Sequence, residues 1–277
     1  MNLEESFEFV AGMNPAWKTA RGVWRTPAIY NRDHCLRLLG KTKNVKRITK
    51  ADLATMRAEL LREGRANGGV NRIMSILNTC LKELCENEII DKYPKLKQLD
   101  EGKGRQEYYT RQNISDMVRV AKEKYGNLEL ADAILLGVFT GCRQANLLGL
   151  EVRDVDFNND TINFRETKNG DDHIVDIHPD LKAILLPRCE NKEPYTRVFE
   201  FRNKDDLWYA FKKVRNEVGL DKRYVWHSLR HTCGSWLAEA EVPVQTIASI
   251  LGHKTLEMSM RYTHINNKVR KTAINKL

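Results

Sequence analysis

The chain has 277 residues, of which 42% are hydrophobic, with 46 Lys and Arg against 37 Asp and Glu for a formal net charge of +9. That length fits one large domain or two ordinary ones, and the composition excludes a disordered or fibrous chain. No apolar run reaches about 18 residues and the first 30 begin acidic without an apolar signal core, so neither a membrane span nor secretion is expected.

Six cysteines (Cys35, Cys80, Cys85, Cys142, Cys189 and Cys233) are scattered without a paired framework. They read as reduced, mostly buried thiols of a cytoplasmic protein. A basic balance is compatible with a nucleic-acid partner and proves nothing alone. Its distribution is more informative: from Lys41 to Lys50 there is no acidic residue, and Lys41, Lys43, Lys46, Arg47 and Lys50 are candidates for a phosphate-contacting edge.

In chain order, residues 1–92 read as helical throughout. Arg32–Leu39 is periodic and ends at Gly40, a plausible C-cap. Thr49 can N-cap Lys50–Glu63, with Leu53, Met56, Leu60 and Leu61 on one face. A third helix follows Gly68-Gly69 and carries Val70, Ile73, Ile76, Leu77, Leu81 and Leu84 at helical spacing to about Asn87. Pro94 stops this bundle, and the charged, glycine-containing stretch to Gln106 reads as an exposed linker.

A second domain is expected from about Tyr108. Asn113 can cap a helix over Ile114–Lys124, and the apolar Ala131–Phe139 reads as a buried helix ending at Thr140-Gly141. Between Val155 and Ile177 the period changes to two. Thr161–Arg165 and His173–Ile177 alternate around Asn169-Gly170, a strong hairpin-turn signal that puts Lys168 at the tip. From Asp180 onward the pattern is helical again. The fold class is therefore mainly α with a small antiparallel β-sheet, in two domains: residues 1–93, a linker over 94–106, and residues 107–277.

The second domain carries Arg143, Lys168, His227, Arg230, His253 and Tyr262 in that order. Cleaving a phosphodiester without a metal takes a nucleophile, charge stabilisation for the phosphorane and a proton for the leaving oxygen. Tyr262 offers a phenolic nucleophile whose ester would conserve the energy of the broken bond. Arg143 and Arg230 offer planar forks for two non-bridging oxygens. Lys168 offers a general acid if neighbouring arginines lower its pKa. His227 and Arg230 lie one helical turn apart and can face one phosphate, and His227 and His253 would supplement the clamp and handle the tyrosine's proton. His231 follows at once, points elsewhere and reads as structural. A zinc site at His227 and His231 lacks the glutamate of H-E-x-x-H and has Arg230 between its ligands, so no metal and no other cofactor is expected.

The wording around these residues is specific: Thr140-Gly141-Cys142-Arg143, His227-Ser228-Leu229-Arg230-His231, Leu251-Gly252-His253 and Arg261-Tyr262-Thr263-His264. It resembles the tyrosine recombinase (phage integrase) family of site-specific DNA recombinases over residues of roughly 105–270. The resemblance implies a helical core-binding domain and a mixed α/β catalytic domain clamping double-stranded DNA. It also implies a 3′-phosphotyrosine intermediate and four identical protomers exchanging strands through a Holliday junction. DNA-bending accessory proteins, a phage or other mobile element and a bacterial host nucleoid belong to the same expectation. Two departures stand out. Asn146 occupies a position that is usually acidic. No segment of arm-binding size precedes the bundle, so the expectation is a recombinase acting without that domain, or a fragment. Two alternatives are a type IB topoisomerase-like relaxer, which shares this chemistry, and a non-catalytic DNA-binding regulator of the same fold. The docking of the tail after Tyr262 on a neighbouring protomer, or on its own domain, stays open.

Overall fold

The computed structural model describes residues 1–102, 107–165 and 172–263. The chain is mainly α-helical and divides into two compact units, Met1–Gly104 and Arg105–Leu277.

The first unit holds α1 (Leu3–Met13), α2 (Thr26–Leu39), α3 (Lys50–Arg62) and α4 (Asn67–Glu86). The amphipathic α4 packs against the other three and buries Val70, Ile73, Leu77, Leu81 and Leu84. Thr49 caps α3 as expected: its side chain accepts from the Asp52 N–H while Asp52 reaches back to the Thr49 N–H, a reciprocal capping box. Leu61, expected on the buried face, is 38% exposed, one position off the apolar stripe of Leu53, Met56 and Leu60.

Four further details differ from the sequence reading. The unit is not helical throughout, because residues 14–25 form a non-helical loop in which Trp17 and Trp24 stack and Lys18 bridges to Trp24. α2 starts at Thr26, with Pro27 in its first turn, where a missing N–H costs nothing. α4 starts at Asn67, so Gly68 and Gly69 lie inside its first turn. The stretch after Pro94 is not a free linker up to its end. Leu96 and Leu99 pack on the helical core, and the Asn71 side chain bonds the Leu99 backbone through both its carbonyl (2.9 Å) and its amide (2.8 Å).

In the second unit α6 (Leu128–Thr140) is the central helix, nearly all apolar and packed against α5 (Arg111–Arg119), which Thr110 caps with Asn113 as its reciprocal partner. α7 (Gln144–Leu148) leads into an antiparallel sheet of β1 (Val155–Asp156), β2 (Thr161–Phe164) and β3 (His173–Asp176), in that order. Ile162 pairs with both Val155 and Val175, and Phe164 with His173. This register turns Ile162, Phe164 and Val175 toward the core. The hairpin tip, including Lys168, lies outside the described residues.

α8 (Pro179–Cys189) is tied to α6 by Arg188, which pairs with Glu129 at 2.7 Å and Asp132 at 2.8 Å. The helices α9 (Lys204–Glu217), α10 (Trp226–Glu239), α11 (Val244–Leu251) and α12 (Glu257–Met260) follow among the described residues. α10 lies on α6 and carries α11, which carries α12. Residues 190–203, between α8 and α9, form no helix, so the helical pattern expected from Asp180 onward is interrupted there.

Candidate active site

Two helix ends build the floor of the site. α6 stops at Gly141, whose φ of 62° belongs to the left-handed region. A Cβ there would also lie 2.4 Å from Leu251, so only glycine fits on both counts. The reversal puts Arg143 at the N-cap of α7, where its guanidinium makes no hydrogen bond or ion pair among the described residues. α11 stops the same way at Gly252, and the His253 N–H bonds back to the Ala248 carbonyl at 2.9 Å.

The carbonyls freed at these two ends hold Arg230. Its guanidinium donates to Gly141 at 2.8 Å and to the Leu251 carbonyl. A cation therefore sits where two helix dipoles present partial negative charge. Arg230 is 5% exposed, and no carboxylate pairs with it among the described residues. Burial, and then the charge of Arg143, bring its pKa down to about 10, so it remains protonated at neutral pH.

His253 belongs to the same cluster. Its Nδ1 is 2.6 Å from the Ser259 hydroxyl of α12. Burial, then Arg230, Arg143, Arg261 and His231, push its pKa down to about 4. His227 lies in the first turn of α10 and is exposed, one turn from the buried Arg230. The expected pairing on one helix holds, with one member open to solvent and the other anchored.

Tyr262 lies just past α12 and is 4% exposed, in a small apolar cluster with Cys233, Ala238, Ile247 and Leu251. Its ring fills a notch left by Gly234 of α10, where a Cβ would come within 2.5 Å of the ring. Its hydroxyl is 3.2 Å from His231 Nδ1. His231 therefore does not point away from the site. It touches the hydroxyl of the candidate nucleophile, because residues 227, 231 and 234 recur on one face of α10. Burial raises the phenol pKa, while Arg230 and Arg261 oppose the rise.

The β-hairpin is fastened to this floor. His173 Nε2 lies 2.9 Å from the Ile250 carbonyl and, facing an acceptor, donates to it. The same imidazole lies under Gly252, where a Cβ would come within 3.1 Å of the ring. Asn146, at the usually acidic position, lines a pocket with Arg143, Asn163 and Arg165. Arg165 is itself paired with Glu151 at 2.8 Å.

Residues 107–268 match the phage integrase family model. The chain belongs to the phage integrase family. It is thereby a tyrosine-type site-specific recombinase, and its activity is DNA recombination. Among curated relatives, tyrosine recombinase XerA of Pyrococcus horikoshii is 27% identical over 267 residues, covering 87% of this chain and 90% of the relative. XerA of Saccharolobus solfataricus is 33% identical over 126 residues, covering 46% of this chain and 42% of the relative. The fold of this integrase family member is shared with the Tn1549 transposon integrase in complex with circular intermediate DNA, at a TM-score of 0.78 with 18% identity, covering 99% of both chains. It is shared too with a lambda integrase dimer bound to a COC′ core site, at a TM-score of 0.74 with 19% identity, covering 97% of this chain and 79% of that one.

Five of the six residues singled out in the integrase sequence are described, and four are joined by contact or charge: Arg143, Arg230, His253 and Tyr262. His227 is linked to them through His231, whose ring it meets edge-on at 4.9 Å between centroids. Sequence reasoning missed His231, Gly234 and Ser259. The i+4 and i+7 spacing from His227 could have flagged the first two. Nothing local could have flagged Ser259. In the first unit, the basic stretch splits. Lys43 pairs with Asp52 at 2.6 Å, a bond that with the Thr49 N–H holds the Asp52 carboxyl at about 2. Lys41, Lys46, Arg47 and Lys50 are exposed. The backbone of this stretch also serves α1, since the Lys41 and Lys43 carbonyls accept from the Glu4 and Leu3 N–H groups. No group of three potential metal ligands occurs among the described residues, and no helix is long and apolar enough to cross a membrane.

Proposed function

We propose that this recombinase cleaves and rejoins DNA through a covalent 3′-phosphotyrosine at Tyr262. The observation that carries the reading is a cluster of basic side chains around Tyr262 whose buried member, Arg230, pairs with no carboxylate among the described residues. Burial, reinforced by Arg143, lowers the basicity of Arg230, and burial reinforced by the surrounding cations lowers that of His231 and His253, with Glu107 opposing the shift at His231. Such a cluster is costly unless an anion enters it, and a phosphodiester fits its two guanidinium forks.

In this reading Arg143 and Arg230 hold the two non-bridging oxygens and stabilise the phosphorane. His253, fixed by Ser259, and His227 add hydrogen bonds to the same phosphate. Lys168 protonates the departing 5′-oxygen. No metal or other cofactor takes part. Lys41, Lys46, Arg47 and Lys50 contact phosphates of the flanking duplex, whereas Lys43 is spent on Asp52. The residues of 1–93 serve as the core-binding domain and those of 107–277 as the catalytic domain. The reading extends to a tetramer on paired sites, since a lambda integrase tetramer bound to a Holliday junction shares the fold with a TM-score of 0.72. It extends also to the movement of a phage or other mobile element.

The test is covalent trapping. The protein is incubated with a library of nicked or 5′-bridging phosphorothiolate duplexes drawn from candidate attachment sites, beside Tyr262→Phe. The expected result is an SDS-resistant adduct on the 3′-phosphate that vanishes in the variant. Sequencing of the trapped DNA gives the crossover site, which should lie at the ends of a mobile element. An adduct that survives Tyr262→Phe refutes the assignment of the nucleophile. Tight binding without any adduct favours a DNA-binding regulator.

A further inference from the structure

We infer that His231 is a catalytic residue of this recombinase: its Nδ1 accepts the Tyr262 phenol proton during cleavage and returns it during religation. The inference rests on the reading of Tyr262 as nucleophile, and it gives the phenol proton, expected from the sequence to pass to His227 and His253, to the imidazole in contact with the hydroxyl.

Three observations carry it. The first is contact. His231 Nδ1 is 3.2 Å from the Tyr262 hydroxyl, and both residues are buried, so no bulk water competes for the phenol proton. The second is confinement. The Tyr262 ring occupies the Gly234 notch on the same helix, one turn beyond His231, which leaves the hydroxyl little freedom to turn elsewhere. The third is the charge around the imidazole. His227 and Arg230 act on it from its own helix and Arg261 from the chain leading into Tyr262, all disfavouring its protonation. Glu107, in the segment before α5, opposes them. One Glu107 carboxylate oxygen, Oε2, is buried and has no hydrogen-bond partner among the described residues. The other pairs with Arg223 at 3.3 Å.

This environment suits an acceptor that works only when substrate is present. Burial holds the free imidazole neutral, with a pKa near 4, so Nδ1 has a lone pair for the phenol. A phosphate bound between Arg143 and Arg230 offsets the Arg230 charge, one of those that disfavour an imidazolium, and the Glu107 carboxylate stabilises it once formed. A base oriented by contact with the nucleophile and backed by a carboxylate follows the general logic of activated nucleophiles.

The step balances. As the bond from Tyr262 Oη to phosphorus forms, its O–H bond breaks and the proton moves to His231. The bond from phosphorus to the 5′-oxygen breaks, and that oxygen takes a proton from the acid assigned to Lys168. On religation the 5′-hydroxyl proton returns to Lys168, and His231 returns its proton to the departing phenolate.

The experiment is single-turnover adduct formation on the trapped crossover duplex, with oxygen or sulfur at the bridging 5′ position. His231→Ala, His231→Gln and Tyr262→Phe are compared with the unaltered chain, after duplex affinity and circular dichroism establish folding. Glutamine can accept the phenol hydrogen bond through its carbonyl but cannot take the proton. Both His231 variants are expected to be slower by about 10²-fold, to stay slow on sulfur-bridged DNA, and to recover about tenfold per pH unit as hydroxide replaces the imidazole. The unaltered chain should change little over the same range. A glutamine variant near the unaltered rate, a pH profile parallel to the unaltered one, or a defect erased by the sulfur leaving group would overturn the assignment. An adduct retained in Tyr262→Phe would instead overturn the reading of the nucleophile.

Discussion

The first unit and the surroundings of Tyr262 in the second handle positive charge differently. In the first, cations are either paired with carboxylates or left in water, as Lys41, Lys46, Arg47 and Lys50 are. Lys18 and Arg32 share Glu8, Arg37 and Arg65 share Glu63, and Lys43 has Asp52. Beside Tyr262, Arg230 is buried on helix-end carbonyls, and the half-buried Arg143 makes no ion pair among the described residues. The net charge of +9 distinguishes neither. What marks a site is positive charge that the fold conceals without neutralising, because ordinary folding would pair it or leave it in water.

The largest expected effect comes from breaking the clamp. Arg230→Lys keeps the charge but cannot reach two helix-end carbonyls and a phosphate oxygen together. Adduct formation should fall by about 10²- to 10³-fold, read by single-turnover trapping. A loss under threefold would mean the guanidinium is structural. Next is Gly234→Ala, whose methyl would displace the Tyr262 ring. Misplacing a nucleophile by about 1 Å costs on the order of 10²-fold, so the rate should drop sharply at unchanged duplex affinity. Equal loss of both would point to a collapsed helix instead.

Stability against pH sharpens the comparison. His231 and His253 both fall from an ordinary 6.5 to about 4 in the folded chain. The unfolded chain then binds protons more readily, so their contribution is fully present above about 6.5 and is lost as pH falls towards 4. Urea unfolding at a series of pH values should show the second unit weakening across that window. A double His231→Asn, His253→Asn variant should show a flatter profile, and an unchanged slope would contradict the shifts.

The smallest effects lie in the first unit. If Lys46 meets a phosphate, Lys46→Ala should lower the salt dependence of binding by about one unit of slope. Lys43→Ala should change it less, because that charge is already paired. Thr49→Ala should cost about 1 kcal/mol by loss of the cap and leave trapping unaffected, as denaturant titration beside the adduct assay would show.

Much of this was legible in the sequence because its signals are local. Thr49 and Asp52 cap each other three residues apart, Gly141 and Gly252 end helices, and alternation marks β2 and β3. Signals that depend on distant partners were not legible. His231 reads as an ordinary helical residue until Tyr262, 31 positions later, folds back onto it. Lys43 looks like its neighbours until Asp52 approaches. Leu96 and Leu99 look like linker residues until Asn71 ties the backbone down. The Trp17–Trp24 loop carries no helical or strand period at all, so assigning helix throughout passed over it.

The central claim, a concealed cationic site awaiting a phosphodiester, is tested most directly by titrating the His253 ring by NMR without DNA and with the trapped duplex on Tyr262→Phe. The account predicts a pKa near 4 in the free protein that rises when the duplex binds, as phosphate cancels Arg143 and Arg230. A pKa near 6.5 in the free protein, or one that binding leaves unmoved, would contradict it.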